Sequence, residues 1–131
     1  MIGLDTNVLV RYITQDDPLQ AAAATRVIEA LTVEEPGYLT GVVLVESYWV
    51  LRTTYGFSRE DVVSALGAVV ATDEFVVENE TIVRNALILA GSTGADFADA
   101  VIVASCRHAG CADVVTFDKN AAKSLGVRLL S

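Results

Sequence analysis

Cysteine, proline, histidine and positive charge are all scarce in this 131-residue chain, and each shortage excludes something. Two cysteines, Cys106 and Cys111, cannot build the disulfide framework of a small secreted domain, and inside a cell they stay as thiols. Two prolines and 9 glycines leave little for linkers or low-complexity tails. No apolar run approaches the ~18 residues of a membrane span. The opening Met1-Ile2-Gly3-Leu4-Asp5 lacks the basic and apolar regions of a signal peptide. The expectation is a soluble, cytoplasmic protein with no membrane partner. A single histidine, His108, leaves no triad chemistry with a marked nucleophile. Cys106-x-His108-x-x-Cys111 has neither the usual spacing nor the fourth ligand of a structural zinc site. No Gly-x-Gly-x-x-Gly or Walker pattern occurs, which disfavours dinucleotide binding and nucleotide hydrolysis. Against 17 acidic residues stand 9 basic ones, a net charge of -8, so the mean field repels phosphate. Counterion release alone cannot hold nucleic acid on such a chain; something local, such as a bound cation, has to reverse the field.

What is present describes one globular domain over residues 1–131, with 53% hydrophobic residues to build its core. Ile2 to Leu4 is a short apolar run, and a helical pattern follows through Val8, Leu9, Tyr12 and Ile13. Pro18 suits the first turn of a second helix, whose spacing predicts an apolar face of Leu19, Ala22, Ala23, Val27, Ala30 and Leu31. Tyr38 to Thr40 reads as a strand and Val42 to about Tyr55 as a strongly apolar helix. Ser58 with Asp61 forms an N-cap pair ahead of Val62, Ala65, Leu66 and Val69. Phe75 to Val77 is a third strand, Asn79 caps a helix carrying Ile82, Val83, Ala86, Leu87 and Ala90, and Gly91 to Gly94 forms a loop. A helix from Asp96 to about Ala109 stops at Gly110. Asp113 to Phe117, Asn120 to Leu125 and Val127 to Leu130 then read as strand, helix and strand. This alternation predicts an α/β fold, a small four- or five-stranded and mostly parallel sheet with helices on both faces. The aromatic residues Tyr12, Tyr48, Trp49, Tyr55, Phe75, Phe97 and Phe117 lie within or beside apolar patterns and read as core, leaving no platform on which bases stack.

Ligands of open α/β sheets bind beyond the C-terminal ends of the strands, and acids stand there. Asp5 follows the first strand and Asp118 the fourth; each is also a favoured N-cap for the helix after it. Glu46 is the one charged residue between Thr40 and Arg52 and shares a helical stripe with Val42 and Trp49. On an apolar helix a carboxylate needs a partner, either an arginine such as Arg11 or Arg52 or a metal ion. Asp96 and Asp99 sit three apart on the first turn of one helix, where an N-cap role explains either but is generous for both. Asp5, Glu46, Asp96, Asp99 and Asp118 together make a candidate all-oxygen cluster. Hard carboxylates without histidine select Mg²⁺ or Mn²⁺ over zinc. Such a site activates water and stabilises the leaving oxygen in phosphodiester cleavage, and it reverses the local field where phosphate approaches. Arg11, Arg52, Arg59, Lys119 and Lys123 lie near these acids, as phosphate contacts or as ordinary solvated charge.

These residues carry a resemblance. Gly3-Leu4-Asp5-Thr6-Asn7-Val8-Leu9-Val10-Arg11 resembles the opening of PIN-domain nucleases, in particular VapC-type toxins of bacterial type II toxin–antitoxin pairs. The likeness continues at Glu46, in Asp96-Phe97-Ala98-Asp99-Ala100-Val101-Ile102 and in Val115-Thr116-Phe117-Asp118, and spans about Ile2 to Leu129. It implies a PIN-like three-layer α/β/α sandwich and a Mg²⁺- or Mn²⁺-dependent endoribonuclease. By the same resemblance Asp5, Glu46, Asp99 and Asp118 form an acidic quartet with Asp96 as accessory, and Asn7 and Thr116 are polar supports. Asp5 and Asp99 are then the principal metal ligands. It further implies a homodimer and a small antitoxin covering the site, with the Val42–Tyr55 and Ser58–Val70 helices as its groove. Val103 and Ser105 depart from the small alanine usual there. A non-catalytic module of the same fold, binding RNA or a protein, is the alternative, and the motif does not separate RNA from DNA.

Overall fold

The computed structural model describes residues 1–131 as five strands and seven helices. Strand β1 (Ile2–Gly3) leads through Leu4 and Asp5 into helix α1 (Thr6–Thr14), which buries Thr6, Leu9 and Val10. Asp17 caps helix α2 (Pro18–Glu29) by accepting the Leu19 and Gln20 amides, and Pro18 fills the first turn, where no amide is needed. Strand β2 (Gly37–Leu39) runs into Thr40, whose hydroxyl accepts the Val43 amide and opens helix α3 (Gly41–Thr53). Ser58 accepts the Asp61 amide at 3.1 Å and opens helix α4 (Arg59–Val70), the cap expected of that pair. Strand β3 (Phe75–Val77) and helix α5 (Glu80–Thr93) follow. Helix α6 (Phe97–His108), strand β4 (Val115–Thr116), helix α7 (Lys119–Leu125) and strand β5 (Arg128–Leu129) complete the chain.

Every strand pairing is parallel. Ile2 stands opposite Gly37, Gly37 opposite Phe75, and Val115 opposite Arg128. The strands join as a three-stranded ladder β1-β2-β3 and a two-stranded ladder β4-β5. The α/β alternation and the parallel pairing are as the pattern predicts, while the five strands pair in two ladders instead of the one four- or five-stranded sheet expected. No helix is long and apolar enough to cross a membrane.

The chain packs as two compact units, Met1–Glu80 and Thr81–Ser131. In the first, α1 packs on α2 and α3, α3 on α4, and α4 on β3. Leu9, Leu39, Leu44, Leu51, Val62 and Leu66 are fully buried there, each contributing about 1.5–3 kcal/mol. Gly37 lets β2 pass close to its neighbours: a Cβ there would stand 2.8 Å from Leu31 Cδ1 and 3.2 Å from Leu4 Cδ1, so a larger residue makes the Leu31 side chain shift. In the second unit α7 packs on α6, β4 and β5. Phe97, Ala100, Val103, Ala121 and Leu125 are buried.

Two elements differ from expectation. The buried face of α2 is Ala21, Ala24 and Ile28, while Leu19 and Val27 are exposed. Four consecutive alanines favour a helix without marking a face, and packing against α1 selects it. Helix α5 runs through Gly91, Ser92 and Thr93, where a loop was expected. The Thr93 hydroxyl donates to the Leu89 carbonyl at 2.6 Å and Gly94 donates its amide to Ala90, so the last turn closes before the chain reverses at Gly94, φ 77°.

Candidate active site

Because β1, β2 and β3 are parallel, their C-terminal ends share one edge of the first unit. Asp5 stands just past β1, Thr40 past β2 and Glu78 past β3. Asp5 holds the N-cap position of α1, and its carbonyl accepts the Val8 and Leu9 amides. Its carboxylate makes no capping hydrogen bond, so capping does not account for the charge. Glu46 comes from α3, and its Oε1 accepts the Thr6 hydroxyl at 3.0 Å. Thr6 is the first residue of α1, so Glu46 reaches the positive end of that helix beside Asp5. The buried Thr6 hydroxyl is a positioning group that local sequence does not mark, because its partner Glu46 lies 40 residues away. Glu78 is unmarked as well. Its Oε1 accepts the Gly41 amide at 2.9 Å, capping α3 from the neighbouring strand. Asn7 is exposed and lines a cavity of about 420 Å³ with Leu4, Val8, Arg11 and Gln20.

The expected environment of Glu46 is overturned. Its stripe faces solvent: Val42 is 67% exposed, Trp49 62%, and Glu46 itself is exposed, while Val43, Leu44, Ser47, Tyr48 and Leu51 form the buried face. Glu46 therefore bears no desolvation cost, and neither arginine holds it. Arg11 donates to Asp16 at 3.0 Å, to Gln20 and to Tyr55, and Arg52 donates to the Phe57 carbonyl. Apolar residues all around α3 made its faces indistinguishable by period. For the same reason the core assignment of Trp49 fails, and so does that of Phe117, which is 77% exposed immediately before Asp118.

In the second unit Asp96 caps α6, its Oδ1 accepting the Ala98 amide at 2.8 Å. Asp118 caps α7, its Oδ1 accepting the Asn120 and Ala121 amides at 2.8 and 3.0 Å. Thr116 Oγ1 accepts the Asp118 amide at 3.0 Å and sets the turn between β4 and α7. Asp99 lies half-buried in the first turn of α6. Burial raises its pKa above the ordinary carboxylate value, and the charges of Asp96 and Asp118 raise it further. Three carboxylates thus share one negative field here, and in two of them capping engages only Oδ1.

Three acids outside this set have cationic partners: Asp16 pairs with Arg11, Asp113 with Arg128, and Glu35 with the N-terminal ammonium. None of Asp5, Glu46, Asp96, Asp99 and Asp118 is ion-paired. All-oxygen donors with uncompensated charge fit a hard divalent cation in kind. They do not form a ready cage, since no three His, Cys, Asp or Glu side chains gather closely enough to hold an ion. The family model described as PIN domain matches residues 2–124 of the chain. No curated protein matches it.

Proposed function

This chain belongs to the PIN domain family, and from that premise we propose that it is a Mg²⁺- or Mn²⁺-dependent endoribonuclease, the toxin of a type II toxin–antitoxin pair. The observation that carries the proposal is the acid cluster of the second unit: Asp99, half-buried in the first turn of α6, sits in the combined negative field of Asp96 and Asp118, and no cation pairs with any of the three. Asp5 and Asp99 are the principal ligands, with Asp96, Glu46 and Asp118 completing the set. When bound, the ion supplies Lewis acidity and an acidified water. The chain's own residues do the rest. Thr6 holds Glu46 by Oε1 and leaves Oε2 to orient a water. Asp96 and Asp118, fixed by amides at Oδ1, present Oδ2 without a conformational search. The small antitoxin and a second copy of the chain are the protein partners of this reading.

The test is cleavage of mixed-sequence single-stranded RNA and of pooled tRNA and rRNA, in Mg²⁺, Mn²⁺ or EDTA. Cutting should require metal and fall by at least about 100-fold in Asp5→Asn and Asp99→Asn, the scale of losing a charged catalytic group. Metal-dependent cutting that survives both substitutions overturns the site. A non-catalytic module has one observation in its favour, the lack of a preformed three-ligand group. It predicts metal-independent RNA binding without cleavage in every condition. DNA offered in parallel shows whether the site discriminates the sugar.

A further inference from the structure

Trp49 is the only tryptophan of the chain, and 62% of it lies open on the outer face of α3. It stands three residues after Glu46, which puts the two side chains on one face about 5–6 Å apart at Cβ. One step further along comes Arg52, also exposed, with one guanidinium nitrogen donating to the Phe57 carbonyl. Carboxylate, indole and guanidinium therefore follow one another along the exposed side of one helix.

We propose that Trp49 is a stacking platform for a base of single-stranded RNA, beside Glu46 and with Arg52 reaching the adjoining phosphate. The inference rests on the reading of Glu46 as part of the RNA-cutting site and deepens it by assigning the strand's path. The chemistry favours a base over an apolar protein surface. Covering Trp49 and Val42 with a flat apolar face also covers Glu46 between them, at the desolvation cost of an unpaired carboxylate. A stacked base takes only the indole and leaves Glu46 in water. Aromatic faces beside cationic groups are the usual means of holding single strands. A duplex keeps its bases stacked on one another and offers none.

The sole indole is also the probe. Wild-type chain in Mg²⁺ is mixed with end-labelled mixed-sequence single-stranded RNA in a stopped-flow instrument, following indole emission and label anisotropy together. Anisotropy and quenching should rise with the same RNA dependence, and a duplex of the same sequence should not quench. Trp49→Ala should weaken single-strand binding about 5- to 150-fold, the range of one lost base stack. Trp49→Phe, which keeps a π face, should recover most of that, and Trp49→Leu, which keeps only apolar bulk, should not. Because the side chain is exposed, all three variants should melt with the wild type. Anisotropy that rises while emission stays constant, or unchanged affinity in Trp49→Ala, overturns the platform and leaves the ribonuclease reading standing. No anisotropy change at all overturns both. An emission shift that tracks protein concentration without RNA, with a doubled mass lost in Trp49→Ala, assigns this face to a second copy of the chain and overturns the platform.

Discussion

Asp118 does two things with one carboxylate. Its Oδ1 accepts the Asn120 and Ala121 amides and starts α7, while its charge helps to raise the Asp99 pKa. Two substitutions separate these roles. Asparagine caps as well as aspartate but carries no charge. Asp118→Asn should therefore leave the melting temperature unchanged or slightly raised without metal, and bring the Asp99 carboxyl back toward its ordinary value in an NMR titration. Asp118→Ala loses the cap as well, at about 1 kcal/mol, or about 3–4 °C for a chain of this size. If the alanine variant melts with the wild type, the cap is not a stabilising element. Much of this was legible in the sequence, because an acid directly after a strand and before a helix has few other uses. Asp5 and Asp118 were legible in that way, and Asp96 as an acid placed just ahead of a helix. Thr6 was not, since nothing in a sequence says which α3 side chain its hydroxyl will meet. Trp49 and Phe117 were misread because an aromatic beside apolar neighbours does not declare its face.

Helices α1 and α3 are tied at their C-terminal ends by three side chains. Arg11 Nη1 donates to both oxygens of Asp16 at 3.0 Å and lies 2.7 Å from the Tyr55 hydroxyl, which donates to Asp16 at 2.8 Å. The Tyr55 and Thr14 hydroxyls, with Arg11, hold the Asp16 carboxyl down to about 2, from an ordinary 3.8. A depressed folded pKa contributes stability above the unfolded value and loses it as pH falls through the folded one. The tie is therefore intact at pH 5 and above, half protonated near pH 2 and gone below it. Plotted between pH 5 and pH 2, the melting temperature of Asp16→Asn should fall less steeply than that of the wild type. Tyr55→Phe should raise the Asp16 carboxyl toward its ordinary value by NMR. Parallel slopes in Asp16→Asn and wild type mean that other acids govern the acid limb. Elements of this kind were legible in outline only. The caps Asp17 and Ser58 marked helix starts correctly, because a side-chain oxygen ahead of free amides is a local device. The face of α2 and the tie to Tyr55 depend on partners distant in sequence, and local spacing carries no record of them.

Charge is spread unevenly over the molecule. Residues 1–80 hold 13 of the 17 acids against 4 of the 9 cations, and residues 81–131 hold 4 acids against 5 cations. Three of those last 4 acids are Asp96, Asp99 and Asp118. One divalent ion held among them would turn the second unit from near neutrality to a net positive field, which is what a phosphate chain requires of a protein of net charge -8. The same ion should stabilise the fold, because it relieves the repulsion that raises the Asp99 pKa. Linkage sets the size: at ten times the dissociation constant, one site adds about 1.4 kcal/mol. Added salt also lifts the melting temperature of an acidic chain, since the Debye length shrinks to about 8 Å at physiological ionic strength. The comparison is therefore Mg²⁺ or Mn²⁺ against NaCl of equal ionic strength. The divalent ion should raise the melting temperature further than NaCl does. Asp99→Asn should start higher without metal, since it removes a disfavoured charge, and should respond to the divalent ion only as it responds to NaCl. Equal shifts from the two salts in the wild type would mean that the acids act as diffuse surface charge, and the metal would then have no site to bind.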